Sequence, residues 1–507
     1  MPRLKNASLW IGLLLVLLIG VFPLFVRLDA LSLRQWDEAR RAVNAFEMYE
    51  NGNWIVTHFD GEPEMWGTKP PLLIWLQTTC MHLFGVGELA VRLPSALAGL
   101  ATAFLLFFFS RSVLKKPEVG LLAVLILLTS RGYVSEHVTR SGDFDALLTL
   151  WETAYLFTFF ILLERPREEW RKWLLWFGLF VGLAGITKGI AGLFFLPGCF
   201  LYAIYRRSLW PLFQTRAAWG AIGLALSIIL GFYLTREYFN PGYLAAVGEN
   251  ELWGRYLVTQ GGHKHGFWHY FEGLATEKFL PWIYFLPLGW WFAYRQKGLL
   301  GRLAILTTAT CLFLLLLLSS AETKIIWYMA PVYPSLSLLV AIGLYEGWSA
   351  WQDWRPSLPW SILALVIGLP LFGIPYAQTV QRVYQEEHPS WDWKELRFRD
   401  FMRKNETVKN YTVVHQRYNA HVIFYRKWYN AQGAAIRNQA MLDFHGNQFE
   451  MGIGPLAFKE GDTVLVCESK PMDAIKEVYE LHRLRQWELC RLLVIGPRKA
   501  ALVPEEH

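Results

Sequence analysis

Long apolar runs broken by short charged stretches set the plan of this chain. They cover residues 8–27, 92–113, 119–137, 146–163, 173–187, 189–205, 217–235, 279–294, 303–319, 325–345 and 358–376. Runs of this length suit helices that cross a hydrocarbon core about 30 Å thick. One further run, 71–86, is short and carries Gln77, Thr78, Thr79 and His82, so it reads as a helix lying in the interface. The pattern predicts an α-helical polytopic membrane protein of about 11–13 spans with interfacial helices.

The charges between the runs orient them. Arg3 and Lys5 precede the first span, which reads as uncleaved because no small-residue cleavage site follows it. With 71–86 kept out of the count, Arg111, Lys115, Lys116, Arg165, Arg167, Arg206, Arg207, Arg295, Lys297, Arg302 and Arg355 all fall on the cytoplasmic side. The loops at 28–70 and 236–278 then lie outside, with Arg140, Asp143, Asp145, Lys188, Glu322 and Lys324 at outer span ends. Residues 1–378 form this membrane domain. From 379 to 507 charge rises and no run is long enough to span. Tyr411–His415, His421–Trp428, Thr463–Cys467 and Leu492–Ile495 read as short strands and Pro471–Leu481 as a helix, which predicts a small extracytoplasmic α/β domain.

Composition sharpens the class. The 507 residues are 54% hydrophobic and 16% aromatic, with 25 Trp and 22 Tyr, as interfacial aromatic belts require. The net charge of +7 fits inward-facing basic loops and anionic lipid, and the chain has no nucleic-acid recognition motif. Five cysteines are too few for a disulfide framework. Cys80, Cys199 and Cys311 sit in apolar surroundings, whereas Cys467 and Cys490 could pair in an oxidising space.

The first outer loop is the densest in chemistry. Ala39, Ala42, Val43, Phe46 and Tyr49 recur at helical spacing, and Asn51-Gly52 ends that helix. Asp37 and Glu38 therefore occupy its first turn, where the positive end of the helix dipole favours carboxylates. Asp37 could equally pair with Arg40 or Arg41 along the helix. Trp54–Phe59 alternates, and Asp60-Gly61 marks a hairpin turn. Lys69 stands before Pro70-Pro71 and so on extended backbone, able to reach an anion.

These pieces, DEAR, NGNWIVTHFDGEP and TKPPLLIWLQ, resemble the first loop of polyprenyl-phosphate-sugar-dependent glycosyltransferases. That group includes the lipid A aminoarabinose transferases, the protein O-mannosyltransferases and the bacterial family 39-like proteins, which share the multispanning GT-C architecture. The resemblance runs from about residue 30 to 345 and continues in TRSGDFDALLTLW, in TKG at Thr187–Gly189, in GGHKHGFWHYF at Gly261–Phe271 and in AETKIIWYMAPVYP at Ala321–Pro334. It implies a bacterial cytoplasmic-membrane enzyme whose site faces the periplasm. A sugar would pass from an undecaprenyl-phosphate-type donor to a hydroxyl on lipid A, another envelope glycan or a protein, with inversion.

The resemblance makes Asp37 the catalytic acid–base residue, with Glu38 beside it. It gives Lys69, Arg140, Lys188 and Lys324 to the donor phosphate and places Asp143, Asp145, His263 and Tyr328 along the site. The relatives often carry an acid just before the Lys69 position, where this chain has Thr68. A divalent metal therefore stays open, with His263 its candidate ligand. The rival class is a polytopic transporter or lipid flippase, to which intramembrane charge is also suited.

Overall fold

In the computed structural model the chain is described over residues 2–253, 263–295, 298–357, 359–385, 393–405, 407–416, 419–441, 444–445, 448–449 and 457–499. Gly261, Gly262 and Lys297, which figured in the sequence reading, lie outside the described residues. Helices dominate. In chain order they are α1 (Pro2–Phe25), α2 (Asp37–Asn51), α3 (Leu72–Phe84), α4 (Glu88–Phe109), α5 (Pro117–Thr129), α6 (Asp145–Glu164), α7 (Trp170–Lys188) and α8 (Leu196–Tyr205). After these come α9 (Arg216–Phe239), α10 (Leu286–Arg295), α11 (Leu299–Ser320), α12 (Val332–Trp354) and α13 (Trp360–Tyr384). Among the described residues, six helices are long and apolar enough to cross a membrane, and four shorter apolar helices join them.

Several expected spans are remodelled. The run at 119–137 is helical only to Thr129. Beyond it, residues 130–144 form an irregular buried segment held by its own polar side chains. Thr139 Oγ1 donates to the Tyr133 carbonyl at 2.9 Å, and the His137 amide donates to Ser141 Oγ at 2.7 Å. Such a segment persists in an apolar setting because each freed backbone group finds a partner. The run at 325–345 starts as a short 3-10 turn, Ile326–Met329, and becomes helical only from Val332. α3, with 13 residues, is about 20 Å long, which is short of the hydrocarbon thickness.

Around the first loop the local signals are realised. α2 ends at Gly52, whose left-handed φ of 68° lets the chain leave the last turn. Asp60 and Gly61, at φ 55° and 95°, join strands β1 (His58–Phe59) and β2 (Glu62–Pro63), so the hairpin is present but far shorter than the alternation suggested.

The C-terminal part is a five-stranded sheet in the order β4-β3-β7-β9-β8, from β3 (Asn410–His415), β4 (Ala435–Ala440), β7 (Thr463–Val466), β8 (Tyr479–Trp487) and β9 (Cys490–Arg498). Two further strands, β5 (Phe444–His445) and β6 (Gln448–Phe449), form a separate small hairpin. β4, β3 and β7 run parallel, and β9 and β8 are antiparallel to their neighbours. Helices α14 (Trp393–Lys404), α15 (Ala420–Ala431) and α16 (Ser469–Val478) accompany it. The expected strand at His421–Trp428 is in fact the middle of α15. Its β-branched and aromatic residues are explained by burial, with Val422, Phe424 and Tyr425 inaccessible, and Asn419 caps the helix by accepting from the Val422 amide at 3.0 Å. The helix expected at Pro471–Leu481 stops at Val478, where β8 begins. Cys467 and Cys490 form a disulfide that ties the end of β7 to the start of β9.

Candidate active site

Trp36 delivers the chain into α2 with φ 69° and ψ −103°, a backbone state that costs a bulky residue about 1–3 kcal/mol. The strain is held by an unusually complete set of partners. The Arg92 guanidinium donates to the carbonyls of Leu28 (2.9 Å), Leu31 (2.8 Å) and Ser32 (2.8 Å). Glu38, 1% exposed, accepts from Arg92 at 2.7 and 2.9 Å, from the Arg34 amide at 2.7 Å and from the Gly142 amide at 2.8 Å. Burial alone would raise the Glu38 carboxyl, but the Arg92 charge and these four bonds hold it below the usual carboxylate value. Glu38 thus fastens α2 to the loop before α6, and it is not among the residues that line the Asp37 cavity.

Asp37, one position earlier, behaves differently. Its side chain is 37% exposed and opens into a narrow cavity lined by Arg40, Arg41, Asn44, Trp66, Lys69 and Phe144. One Asp37 oxygen lies 3.1 Å from Arg41, one helical turn on. The same guanidinium grips Asp143 from the other side. Asp143 also accepts from Ser141 Oγ at 2.8 Å and lies 3.1 Å from His137 Nδ1, while the His137 ring stacks on Trp327 at 3.8 Å. Burial pushes Asp37 up, and the Arg41 charge more than reverses it, so the carboxyl sits below its ordinary value. Asp143 is driven lower still by Arg41 and His137 against the same burial. His137 responds in kind: burial would lower it, but Asp143 raises it.

Arg40 turns the opposite way along α2. It makes a two-pronged pair with Glu64 at 2.6 and 2.7 Å and lies over the rings of Phe59 and Trp66 at 4.3 and 4.7 Å. Glu64 also accepts the Trp66 and Gly67 amides, each at 2.9 Å. This knot fixes the turn that precedes Lys69.

Lys69 is the junction between two spaces. It lines the Asp37 cavity and also a second cavity of about 230 Å³, bounded by Lys188, Glu251, Tyr328, Leu148, Leu314 and Phe194 among others. Lys69 Nζ lies 2.9 Å from Glu251. Lys188, the last residue of α7, lies 2.6 Å from Asp145 at the start of α6 and 4.2 Å over the Tyr328 ring. Two lysines with carboxylate partners thus line a cavity that also holds Glu152 and whose other walls are largely aliphatic and aromatic.

The other expected residues fall elsewhere. Arg140, 4% exposed, donates to the Leu24 carbonyl at 3.1 Å and lines a separate cavity of about 290 Å³ with Arg34, Arg131, Lys278, Trp327 and Arg382. It is displaced from Lys69 and Lys188 because the irregular 130–144 segment turns it toward α1. Lys324 Nζ donates to the Ala321 carbonyl at 2.5 Å, beside the second cavity that Ala321 and Thr323 line. The His263 carbonyl accepts from the Lys324 amide at 3.0 Å, while His265 and His269 stack on each other at 4.0 Å. Burial and the neighbouring His265 lower His263. The three histidines sense one another electrostatically without forming a metal-holding group.

Among the described residues no group of three or more His, Cys, Asp or Glu side chains is placed to hold a metal ion. The acidic pair that comes nearest, Asp37 and Asp143, has the Arg41 guanidinium between its carboxylates. That arrangement does not fit a resident cation, because a fixed positive charge already fills the place one would take.

Sequence reading offered Arg41 only as a possible partner of Asp37 and missed His137 and Glu251. Arg41 carried a signal in its spacing of four from Asp37. His137 and Glu251 carried none, since only the fold brings them within reach of Asp143 and Lys69.

Comparison with known proteins bears on the fold and on the family likeness. Residues 68–234 match a family model described as dolichyl-phosphate-mannose-protein mannosyltransferase. An undecaprenyl phosphate-α-4-amino-4-deoxy-L-arabinose arabinosyl transferase from Edwardsiella ictaluri is 30% identical over 349 residues, covering 67% of this chain and 60% of the relative. A similarly described protein from Aeromonas hydrophila is 30% identical over 331 residues, covering 63% of this chain and 58% of the relative. The chain thus aligns with about 60% of the length of the curated relatives it matches. Among solved structures, ArnT from Cupriavidus metallidurans bound to undecaprenyl phosphate superposes with a TM-score of 0.70 at 18% identity, covering 96% of this chain and 98% of that one. The archaeal oligosaccharyltransferase AglB from Archaeoglobus fulgidus gives a TM-score of 0.51 at 11% identity, over 83% and 63% of the two chains. The architecture is the GT-C fold of a polytopic membrane protein, and the sequence resembles the aminoarabinose- and mannosyl-transferase group.

Proposed function

We propose that this GT-C-fold relative of the aminoarabinose and protein O-mannosyl transferases moves a sugar from a polyprenyl phosphate to an acceptor hydroxyl, with inversion. The observation that carries the reading is the pair of cavities that share Lys69: a narrow one lined by Asp37, Arg40 and Arg41, and a second one lined by Lys188, Glu251 and mainly apolar side chains. A lipid-linked sugar has the same division into glycan, phosphate and hydrocarbon. The isoprenoid chain would lie against Leu148, Phe194 and Leu314. The phosphate would lie between Lys69 and Lys188, taking over contacts that Glu251 and Asp145 now make. The sugar would face Asp37 between Arg40, Trp66 and Phe144.

Asp37, held ionised by Arg41, takes the proton from the acceptor hydroxyl as its oxygen attacks the anomeric carbon. The bond from that carbon to the phosphate oxygen breaks. The polyprenyl phosphate leaves with the electron pair, and the two lysines offset its charge. Asp143 and His137 fix Arg41, and through it the direction of the Asp37 carboxylate. The reading includes a bacterial inner-membrane location with the site on the periplasmic face. The disulfide in the C-terminal sheet supports that side, because such bonds persist in oxidising compartments. Lipid A, another envelope glycan or a protein would supply the hydroxyl.

The test is transfer from a purified polyprenyl-phosphate sugar by the wild type and by Asp37→Asn. Loss of a positioned base lowers kcat by about 10²–10⁴-fold. Full retained transfer in D37N removes Asp37 from that role. Mass spectrometry of envelope glycolipids and glycoproteins, with and without the gene, identifies the acceptor.

A further inference from the structure

The C-terminal domain reaches directly into the turn that presents Asp37. α15 packs on α2, with the rings of Phe46 and Phe424 6.0 Å apart and edge to face. Tyr425 is inaccessible to solvent, and its hydroxyl accepts from the Leu33 amide at 3.0 Å and donates to Glu88 at 2.8 Å. Glu88 is itself paired with Arg399 of α14 at 2.8 Å. One turn before Tyr425, His421 lies with Nδ1 2.8 Å from the Leu33 carbonyl, and its own amide donates to Gln35 Oε1 at 3.3 Å. Burial lowers His421 to about 4, so the ring is neutral and Nδ1–H is the donor.

The polar groups of the strained turn then divide cleanly by origin. The membrane domain satisfies the carbonyls of Leu28, Leu31 and Ser32 through Arg92, and the Arg34 amide through Glu38. The C-terminal domain satisfies both backbone groups of Leu33. Leu33 is three residues from Trp36, whose positive φ aims the first turn of α2. A backbone in such a state persists only where its surroundings over-determine it.

We propose that Tyr425 and His421 are positioning residues for Asp37, so that docking of the C-terminal domain sets the geometry of the transfer step. The inference rests on the proposed role of Asp37 for its kinetic readout, and carries a second readout that does not. Tyr425→Phe in the full chain keeps the ring and removes only the hydroxyl. Lys427→Met cuts the 3.0 Å pair with Glu47 on the same interface, away from Leu33.

For Y425F the expected result is a kcat lower by about tenfold with the donor KM within about twofold, as displacement of a reacting group by less than about 1 Å gives. Backbone amide exchange over 33–38 rises, and the melting temperature stays close to that of the wild type. For K427M, kcat and exchange over 33–38 stay at wild-type values. Equal effects of the two variants, or a parallel fall of KM, kcat and melting temperature in Y425F, would reduce the contact to ordinary docking and overturn the proposal. If the wild type transfers no sugar, the functional reading fails, and the exchange comparison alone decides: faster exchange in Y425F than in K427M sustains the proposal and equal exchange overturns it.

Discussion

Removing Arg41 tests how the protein keeps its base ionised. The guanidinium is 3.1 Å from Asp37 and also holds Asp143. Two unit charges about 4 Å apart attract by about 4 kcal/mol at an effective dielectric near 20. Water at the exposed edge of Asp37 screens part of this, and an opposite charge at such range moves a carboxyl by about 1–3 pH units. In Arg41→Met that depression is lost, while burial and the Asp143 charge, which both raise Asp37, remain. The carboxyl then protonates at higher pH than in the wild type. Activity that needs the carboxylate is lost as pH falls, so the acidic limb of kcat/KM moves upward. The double variant R41M/D143N should bring it part of the way back, because Asp143 is the repelling neighbour. The assay is the pH profile of transfer from a polyprenyl-phosphate sugar, with thermal unfolding as the folding control. A limb that does not move, or moves down, refutes the claim that Arg41 tunes the base.

Four other outcomes follow from the same geometry. Glu38→Gln leaves the buried Arg92 without its carboxylate and should cost about 3–5 kcal/mol of stability, read as a lowered unfolding midpoint; lost activity at unchanged stability would instead return Glu38 to a catalytic role. Lys69→Met should weaken donor binding by about ten- to hundredfold, the worth of one charge-assisted contact, with kcat at saturating donor less affected; Lys188→Met should add a loss of stability because Asp145 stays buried and unpaired. His421, neutral in the folded chain and lowered to about 4, contributes stability that is fully present above its unfolded value near 6.5 and is lost as pH falls toward 4. This amounts to about 3 kcal/mol, and it should flatten in His421→Asn when melting is followed against pH.

Much of the plan was legible because membranes enforce a coarse rule. A chain that must hide its backbone in hydrocarbon writes its helices as long apolar runs, and basic residues mark their inner ends. The same rule conceals detail. Helices apolar all round do not reveal which face meets which, so nothing in α6 or α7 alone announces that Asp145 and Lys188 pair. Asp37 and Lys69 were found from the order of the loop motifs. Glu38 carries an equally suggestive charge, and only the fold separates a buried fastening from a group that faces a cavity. The C-terminal domain misled for a further reason: His421–Trp428 has strand-like composition, yet packing against α2 and an Asn419 cap make it a helix.

The hydrogen bond between Tyr425 and Leu33 joins residues 392 positions apart. A ribosome makes α2 before α15, so the turn ahead of Asp37 is made before the two side chains that satisfy the backbone groups of Leu33. Folding of that turn is therefore completed by a contact that is distant in the chain and made later in synthesis than the helix it supports.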